Sequence, residues 1–148
     1  MIFIDTDIFV IDLRYQRDKK YETNKRFLEV TRKGSIGTTS IYNILEVCGI
    51  LSFNLNEQQL LDLYYHLPRR YNLQGITLMK PDQRLPSFRI RSIINVFTRK
   101  SSFGDALIIC AAADRSSELN YFVSWNAEHF KDKLTLSVLT PAEYLKAL

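Results

Sequence analysis

The sequence contains few of the residues that break or cross-link a chain, with 5 Gly, 4 Pro and 2 Cys among 148 residues. It also has no low-complexity tract and no internal repeat. Because 46% of the residues are hydrophobic, these absences argue for a compact globular protein rather than a disordered one. The length is that of one ordinary domain, so we predict a single domain over residues 1–148.

Long apolar runs are absent as well. The longest uncharged stretches, residues 35–45 and 47–56, are shorter than the roughly 18 apolar residues that a membrane helix needs. The N-terminal residues "MIFIDTD" contain no basic region and no small-residue cleavage site, which argues against a secretory signal. We therefore expect a cytoplasmic protein with no membrane partner.

The usual patterns of several catalytic and metal-binding classes are also missing. Cys48 and Cys110 lie among aliphatic neighbours and form no Cys-x-x-Cys pair, which predicts buried thiols rather than a disulfide or a metal site. His66 and His129 are far apart and have no partner at ligand spacing, so we expect structural or surface roles. No glycine-rich phosphate loop, nucleophile elbow or His-Glu-x-x-His pattern is present, which argues against P-loop nucleotide hydrolysis.

Positive charge is concentrated in one segment. Arg14 to Lys33 contains eight basic and three acidic residues, a local charge of +5, whereas the whole chain carries +4. This asymmetry suggests a polyanionic partner. A solvated helix face explains the same charge at least as well.

Short apolar runs with strand character alternate with helical patterns along the chain. The predicted strands are Ile2–Ile4, Ile36–Thr38, Gly75–Met79, Tyr121–Ser124 and Leu136–Leu139. The predicted helices are 7–15, 21–32, 39–51, 56–67, 87–100, 102–113 and one that begins at Pro141. Pro68 is expected to end the fourth helix, and Ser87 to cap the fifth. The alternation predicts a three-layer α/β domain with a mostly parallel sheet of about five strands.

An acidic residue directly follows the first predicted strand. Burying Asp5 here as an unpaired carboxylate would cost free energy of folding unless another group compensates its charge. A metal ion would do so, but Asp5 or Asp7 could equally cap the next helix. Because functional groups of such sheets lie at the carboxyl ends of the strands, we expect Asp5 and Asn126 at the same edge.

Two further acids lie on predicted helices. On a helical wheel Glu46 falls opposite the stripe that contains Ile44 and Cys48, so periodicity alone favours exposure to solvent. Asp105 lies three residues after Ser102, which is the spacing of a capping box. The first turn of a buried helix also keeps a carboxylate ionised, as a metal ligand must be. None of these acids identifies a site in isolation.

Four segments carry these residues in a fixed order: "IFIDTDIFVIDL", "TTSIYNILEV", "FGDALIICAAA", and "FVSWNAEHF" followed by "LTPAEYL". In this order they resemble the PIN-domain nucleases, and most closely their VapC-like toxin branch. Each segment is a weak motif alone. Four in family order, ending in a helix that begins at proline, make a fairly specific match over nearly the whole chain.

The resemblance implies a set of site residues. The three family acids correspond to Asp5, Glu46 and Asp105, and a fourth position that holds Asp or Asn corresponds to Asn126. Two supporting positions also correspond. Asp7 stands where family members often have Asn, and Ser124 stands where they usually have Thr. The hard oxygen ligands of the three acids suit Mg²⁺ or Mn²⁺.

The resemblance also implies an activity and partners. The activity is metal-dependent endonucleolytic cleavage of RNA by the toxin of a toxin-antitoxin pair, usually a homodimer. Backbone phosphates would then contact the basic segment through Lys19, Lys20, Lys25 and Arg26. The stretch "LLDLYYHL" at residues 60–67 is a candidate for antitoxin contacts, although packing in the core is the simpler explanation.

Two alternatives stay open from the sequence. Asp5 and Asp7 could act as nucleophile and general acid of a haloacid-dehalogenase-like phosphatase. However, Phe9 stands where that family usually has Thr or Val, and no late acidic pair is evident. The chain could also be a non-catalytic PIN module that binds RNA or a protein.

Overall fold

The computed structural model describes every residue from Met1 to Leu148. Its sheet is built from four short strands, which are β1 (Ile2–Ile4), β2 (Gly37–Thr38), β3 (Tyr121–Val123) and β4 (Ser137–Leu139). The strands lie in the order β2-β1-β3-β4, and every neighbouring pair is parallel. The carboxyl ends of all four strands therefore meet at one edge of the sheet, here called the carboxyl edge.

Eight helices connect and cover the strands. They are α1 (Thr6–Arg14), α2 (Tyr21–Gly34), α3 (Ile41–Leu51), α4 (Glu57–Arg70), α5 (Ile90–Phe97), α6 (Phe103–Asp114), α7 (Ala127–Phe130) and α8 (Pro141–Lys146). Single 3₁₀ turns follow α3 at Ser52–Asn54 and α6 at Ser116–Glu118. Helices α1, α3, α7 and α8 each begin shortly after a strand ends, so their first turns lie at the carboxyl edge.

The side chains of β1 alternate between two cores. Ile2 and Ile4 belong to a core on one face of the sheet, whereas Phe3 belongs to a core on the other face. This follows because successive side chains of a strand point to opposite faces. Helices α1 to α4 and α8 supply the first core, and α5 to α7 supply the second. The predicted three-layer α/β/α architecture is therefore confirmed.

The uniformly apolar helix α6 is central, as its sequence predicts. Its buried residues include Ile108, Ile109 and Cys110, and they fill the second core. Cys48 and Cys110 are both buried and unpaired, as expected from their aliphatic neighbours. None of the helices has both the length and the apolar character that crossing a membrane requires.

The prediction of a strand at Gly75–Met79 is wrong, and the sheet has four strands. The chain touches the free edge of β2 only at Gln74, whose N–H donates to the Gly37 carbonyl at 2.8 Å and whose carbonyl accepts from Thr38 Oγ1 at 2.7 Å. Gly75 then adopts a φ of +65°. This left-handed conformation turns the backbone away from the edge before a ladder forms.

Helix α4 does not end at Pro68, contrary to the prediction. Pro68 lies in the last turn, and the helix continues to Arg70. A proline in the last turn removes one intrahelical hydrogen bond, and the adjacent Leu67 is buried in the first core. Packing at this end therefore outweighs the local preference of proline.

Ser87 does not cap the fifth helix, which begins at Ile90 after Arg89. The Pro86 carbonyl accepts a hydrogen bond from the Tyr42 hydroxyl. The Phe88 ring also packs on Tyr42, with 5.5 Å between ring centroids. These contacts with α3 hold residues 86–88 outside the helix.

We predict that Phe122→Ala strongly destabilises the fold. Phe122 is fully buried, and its ring centroid lies 5.1 Å from that of Phe3 and 4.7 Å from that of Phe130. Removing this ring should lower the free energy of unfolding by about 3–5 kcal/mol because a cavity is left. Phe103→Ala is the matched control, since Phe103 is 62% exposed, and its effect should stay within about 0.5 kcal/mol. Urea unfolding followed by circular dichroism compares the two variants, and equal effects would contradict the assignment of the core.

Candidate active site

Asp5 is the buried centre of a polar cluster at the carboxyl edge. It follows β1 directly and its side chain is almost fully buried. Asn43 Nδ2 donates to Asp5 Oδ1 at 3.2 Å, and Ser124 Oγ donates to Asp5 Oδ2 at 2.8 Å. Asp5 occupies the N-cap position of α1, but its side chain makes no capping hydrogen bond. The alternative that Asp5 serves as a helix cap therefore fails.

Asp7 shares the same serine hydroxyl. Ser124 Oγ lies 3.1 Å from Asp7 Oδ2, and the Asn126 backbone N–H donates to the same oxygen at 3.3 Å. The hydroxyl has one proton, so it donates to only one of the two carboxylates at a time. The other oxygen of the side chain, Asp7 Oδ1, is buried and has no hydrogen-bond partner.

Asn43 is a site residue that the sequence analysis missed. It is fully buried, and its Nδ2 donates to Thr6 Oγ1 at 3.0 Å as well as to Asp5. Its Oδ1 accepts from Ser40 Oγ at 2.5 Å, so the orientation of the amide is fixed from both ends. The available signal was its place three residues before Glu46, on the same polar face of the predicted helix.

Periodicity alone favours exposure of Glu46 to solvent, but in the structure its side chain does not point into bulk solvent. It is half-buried and lines the same cavity as Asp5 and Asp7. Helices α1 and α3 pack on each other here. A Cβ atom added to Gly104 would lie 3.6 Å from Glu46 Oε2, which shows that the start of α6 is close to the Glu46 carboxylate.

Asp105 approaches the cavity from the first turn of α6. Its backbone N–H donates to Ser102 Oγ at 3.2 Å, but its carboxylate does not complete a capping box. Asp105 Oδ2 instead lies 3.0 Å from His129 Nε2, in ion-pair range but without the alignment of a hydrogen bond. His129 is thus a neighbour of the site rather than a remote structural residue.

One open cavity of about 340 Å³ collects the side chains that the sequence places far apart. Its polar lining consists of Asp5, Thr6, Asp7, Glu46, Asp105 and Asn126. Apolar and aromatic side chains complete the wall, among them Tyr15, Ile50 and Phe130. The acids that are separated by up to 100 positions in sequence therefore share one solvent-accessible space.

Negative charge accumulates in this cavity. Burial, followed by the charge of Asp7, raises the pKa of Asp5 to about 8. Burial also raises the pKa of Asp7, against the hydrogen bonds that it accepts. The pKa of Glu46 is raised by burial, and then by the charges of Asp105 and Asp7. The protein's own groups therefore leave the carboxylates short of positive charge.

The donor set fits a hard divalent cation that keeps part of its water shell. Carboxylate and amide oxygens are ligands that Mg²⁺ and Mn²⁺ prefer, and the unpartnered Asp7 Oδ1 offers one more. No group of three His, Cys, Asp or Glu side chains is arranged to hold one ion by itself. Mg²⁺ often binds proteins through one or two carboxylates and several waters, so the geometry suits a hydrated ion.

The four basic residues predicted to bind RNA differ in their surroundings. Lys20, at the N-cap of α2, lies over the Trp125 ring with its Nζ 5.3 Å from the ring centroid. Its charge lowers the pKa of Asp7, although burial has the larger, opposite effect. Lys19 and Arg26 are exposed, and Lys25 lines a separate hollow with Arg70. Lys20 is therefore the member of the predicted set whose charge acts on the cavity.

Comparisons with known proteins bear on the fold. No protein-family model matches the chain, and a search of curated proteins finds no match. Among solved structures, the chain is similar to "Crystal Structure of FitAcB from Neisseria gonorrhoeae", with a TM-score of 0.60 and 16% sequence identity. The match covers 96% of this chain and 99% of that chain. At this identity the likeness shows the fold alone, and that fold is PIN-like, as the sequence predicts.

We predict that burial of the Asp5 carboxyl makes the metal-free protein less stable as the pH rises. In the presence of EDTA, the free energy of unfolding should fall as pH rises from 3.8 to about 8, because Asp5 keeps its proton in the folded state and loses it in the unfolded state over that range. Below this range the carboxyl is protonated in both states and contributes nothing. Asp5→Asn should make the decline shallower, since the amide carries no proton to lose.

Chemical denaturation at a series of pH values measures this slope. Asp82→Asn is the control, because Asp82 is exposed and has no hydrogen-bond partner in the fold. It should keep the slope of the unsubstituted protein. An equal slope in Asp5→Asn would show that burial of this carboxyl does not set the pH dependence.

Proposed function

We propose that this protein is a divalent-metal-dependent endoribonuclease and the toxin of a toxin-antitoxin pair. The observation that carries the proposal is the convergence of Asp5, Glu46, Asp105 and Asn126 on one cavity at the carboxyl edge. These are the positions that the PIN resemblance assigns to the site. The likeness to FitAcB over nearly the full length of both chains supports the same coarse assignment to a PIN nuclease.

The acids of the cavity would hold Mg²⁺ or Mn²⁺. Asp5, Glu46 and Asp105 are the proposed ligands, directly or through water of the ion's hydration shell, with Asn126 as a neutral oxygen donor and Asp7 in support. A bound divalent ion lowers the pKa of water and shields the non-bridging oxygens of a phosphodiester. Burial raises the pKa of both Asp5 and Asp7, so a bound cation that favours their ionised forms would be stabilising there.

The other polar residues would hold the ligands in place. Asn43 and Ser124 each donate to one oxygen of Asp5, which fixes the plane of its carboxylate. The Asn126 N–H donates to Asp7 and thereby ties the end of β3 to the first turn of α1. Such positioning hydrogen bonds keep the ligands oriented when an ion exchanges.

RNA would approach over the face that carries Lys20. Held over Trp125 and close enough to act on Asp7, Lys20 is suited to a phosphate near the cleaved bond. Lys19, Lys25 and Arg26 would contact the backbone farther along the strand, each adding affinity that falls with salt. These contacts position the strand and carry little sequence information.

An antitoxin would bind an apolar groove of about 400 Å³ between α3, α4 and residues 79–85. The stretch 60–67 is only partly core: Tyr64 and Leu67 are buried, whereas Leu60 and Leu61 line this groove with Leu45. Apolar side chains of a partner segment would fill it. We further propose a homodimer and a cytoplasmic location, as is usual for the VapC-like branch.

The phosphatase alternative is disfavoured by the sequence around Asp5. Phe9 stands where that family usually has Thr or Val, and no late acidic pair is evident.

We predict that Asp5→Asn and Asp105→Asn each lower RNA cleavage by roughly 100-fold or more, because each removes a charged ligand of the ion. Asn43→Ala should lower cleavage by about 10- to 100-fold through loss of the hydrogen bond that orients Asp5. The assay incubates purified protein with a mixed RNA pool in Mg²⁺, Mn²⁺ or EDTA and maps the cut ends. Asp82→Asn is the control and should cleave normally.

Metal-dependent cleavage that survives in both Asp5→Asn and Asp105→Asn would defeat the proposed site. RNA binding without cleavage in any metal would favour a non-catalytic PIN module. Circular dichroism of each variant verifies that the fold is intact.

We predict that replacing Lys19, Lys20, Lys25 and Arg26 with Ala weakens RNA binding and flattens its dependence on salt. For single-stranded RNA, the slope of log K against log salt should become shallower by about 0.7 for every phosphate that is no longer neutralised. Lys20→Ala alone should also lower cleavage, since Lys20 is the member closest to the acids. Arg91→Ala, on the exposed surface of α5, is the control. An unchanged slope in the fourfold variant would assign the start of α2 to solvent or to protein contacts.

A further inference from the structure

Two exposed aromatic side chains lie at one corner of the acidic cavity. Tyr15 follows the last residue of α1 and is 50% exposed, and Phe53 lies in the turn after α3 and is 88% exposed. Most other aromatic residues of the chain are buried or packed against a core. A phenylalanine with so little contact contributes almost nothing to folding. Its exposure is therefore better explained by binding.

The structure holds these two residues on neighbouring segments. Arg14 precedes Tyr15 and Asn54 follows Phe53. With its amide oxygen turned toward Arg14, Asn54 accepts from both terminal guanidinium nitrogens at 3.1 Å. This bidentate contact joins the end of α1 to the turn after α3. The residues beside it, Tyr15 and Phe53, are thereby brought to the same corner.

This corner is continuous with the candidate active site. Tyr15 lines the acidic cavity together with Ile50, which lies three residues before Phe53. On its other side Tyr15 lines a polar hollow of about 580 Å³ with Arg14 and Arg17. Aromatic faces next to guanidinium groups, beside a groove that accepts a phosphate, are the combination with which proteins bind unpaired nucleic-acid strands.

We propose that Tyr15 and Phe53 form a stacking platform for unpaired bases of single-stranded RNA next to the phosphodiester that is cut. Arg14 and Arg17 contact the backbone phosphates of the same nucleotides. This inference rests on the proposed nuclease function and adds to it a subsite for bases next to the cut. Bases in a duplex are covered by their neighbours, so the platform selects single-stranded over double-stranded RNA.

Charge and area favour RNA over a protein partner at this corner. The cores of protein interfaces are depleted of charged residues, whereas Arg14 and Arg17 line the same hollow as Tyr15, and Arg14 contacts Asn54 next to Phe53. Two aromatic side chains bury about 150–250 Å² each, which is well below the roughly 800 Å² per partner of a stable protein interface. The same area matches one or two stacked bases.

The test measures binding to short fluorescent RNA in the Asp105→Asn background with Mg²⁺, so that the RNA stays intact. Tyr15→Ala and Phe53→Ala should each weaken binding to the single strand by about 5- to 100-fold. Phe53→Trp should keep the wild-type affinity, because a larger ring still stacks. Ile90→Ala is the control: Ile90 is 78% exposed and lies at the end of α5 away from Asp105, so its affinity should be unchanged.

Abasic RNA separates stacking from any other role of the rings. A strand with abasic sites beside the cut should bind the wild-type platform weakly, and Phe53→Ala should cause no further loss. Blunt double-stranded RNA should be insensitive to both alanine variants. Thermal unfolding should be unchanged in all of them, since the replaced rings are exposed.

If both alanine variants bind with unchanged affinity and the wild-type chain cuts RNA, the platform is overturned and the proposed nuclease function remains. A change in sedimentation with unchanged RNA affinity would assign the rings to self-association and would also overturn it. If the wild-type chain neither binds nor cuts RNA, the proposed function and this inference fail together.

Discussion

The structure depends on burying one carboxylate at the end of its central strand. Asp5 is almost fully buried, and two polar partners from distant parts of the chain, Asn43 and Ser124, donate to its oxygens. Burial of a charge without a counter-charge costs free energy of folding. The hydrogen bonds offset part of this cost, and the raised pKa of Asp5 reflects the part that remains. This remaining cost makes the cavity a place where a cation would be stabilising. Burial of Asp5 therefore costs the metal-free protein stability that a bound cation would restore.

The parallel sheet is the reason that these groups meet. Every strand ends at the same edge, so Asp5 after β1 and Ser124 after β3 become neighbours although they are 119 positions apart. Helices that begin at this edge add Asn43 from α3 and Asp105 from α6. The short strands pair over only two or three residues each. Most of the sheet's stability must therefore come from the two cores that it separates.

Local patterns predicted the elements well and their surroundings poorly. The buried strands, the capping serine of α6 and the apolar character of α6 all follow from short-range chemistry. Glu46 shows where such reasoning ends. A helical wheel treats everything outside the apolar stripe as solvent, yet here that face closes a cavity against α1 and the start of α6. The prediction that Pro68 ends α4 is wrong for the same reason, because packing against the first core decides where that helix ends.

The sequence by itself determined the alternation of strands and helices and the three-layer architecture, which follow from periodicity, turn chemistry and residue type over a few positions. The acids of the candidate site came from its resemblance to the PIN-domain nucleases. Only the tertiary structure decided that Asn43 orients Asp5, that His129 lies beside Asp105, and that Lys20 rests on Trp125. Those contacts join segments separated by tens of residues. Their geometry is set by how whole layers pack, and no local pattern encodes it.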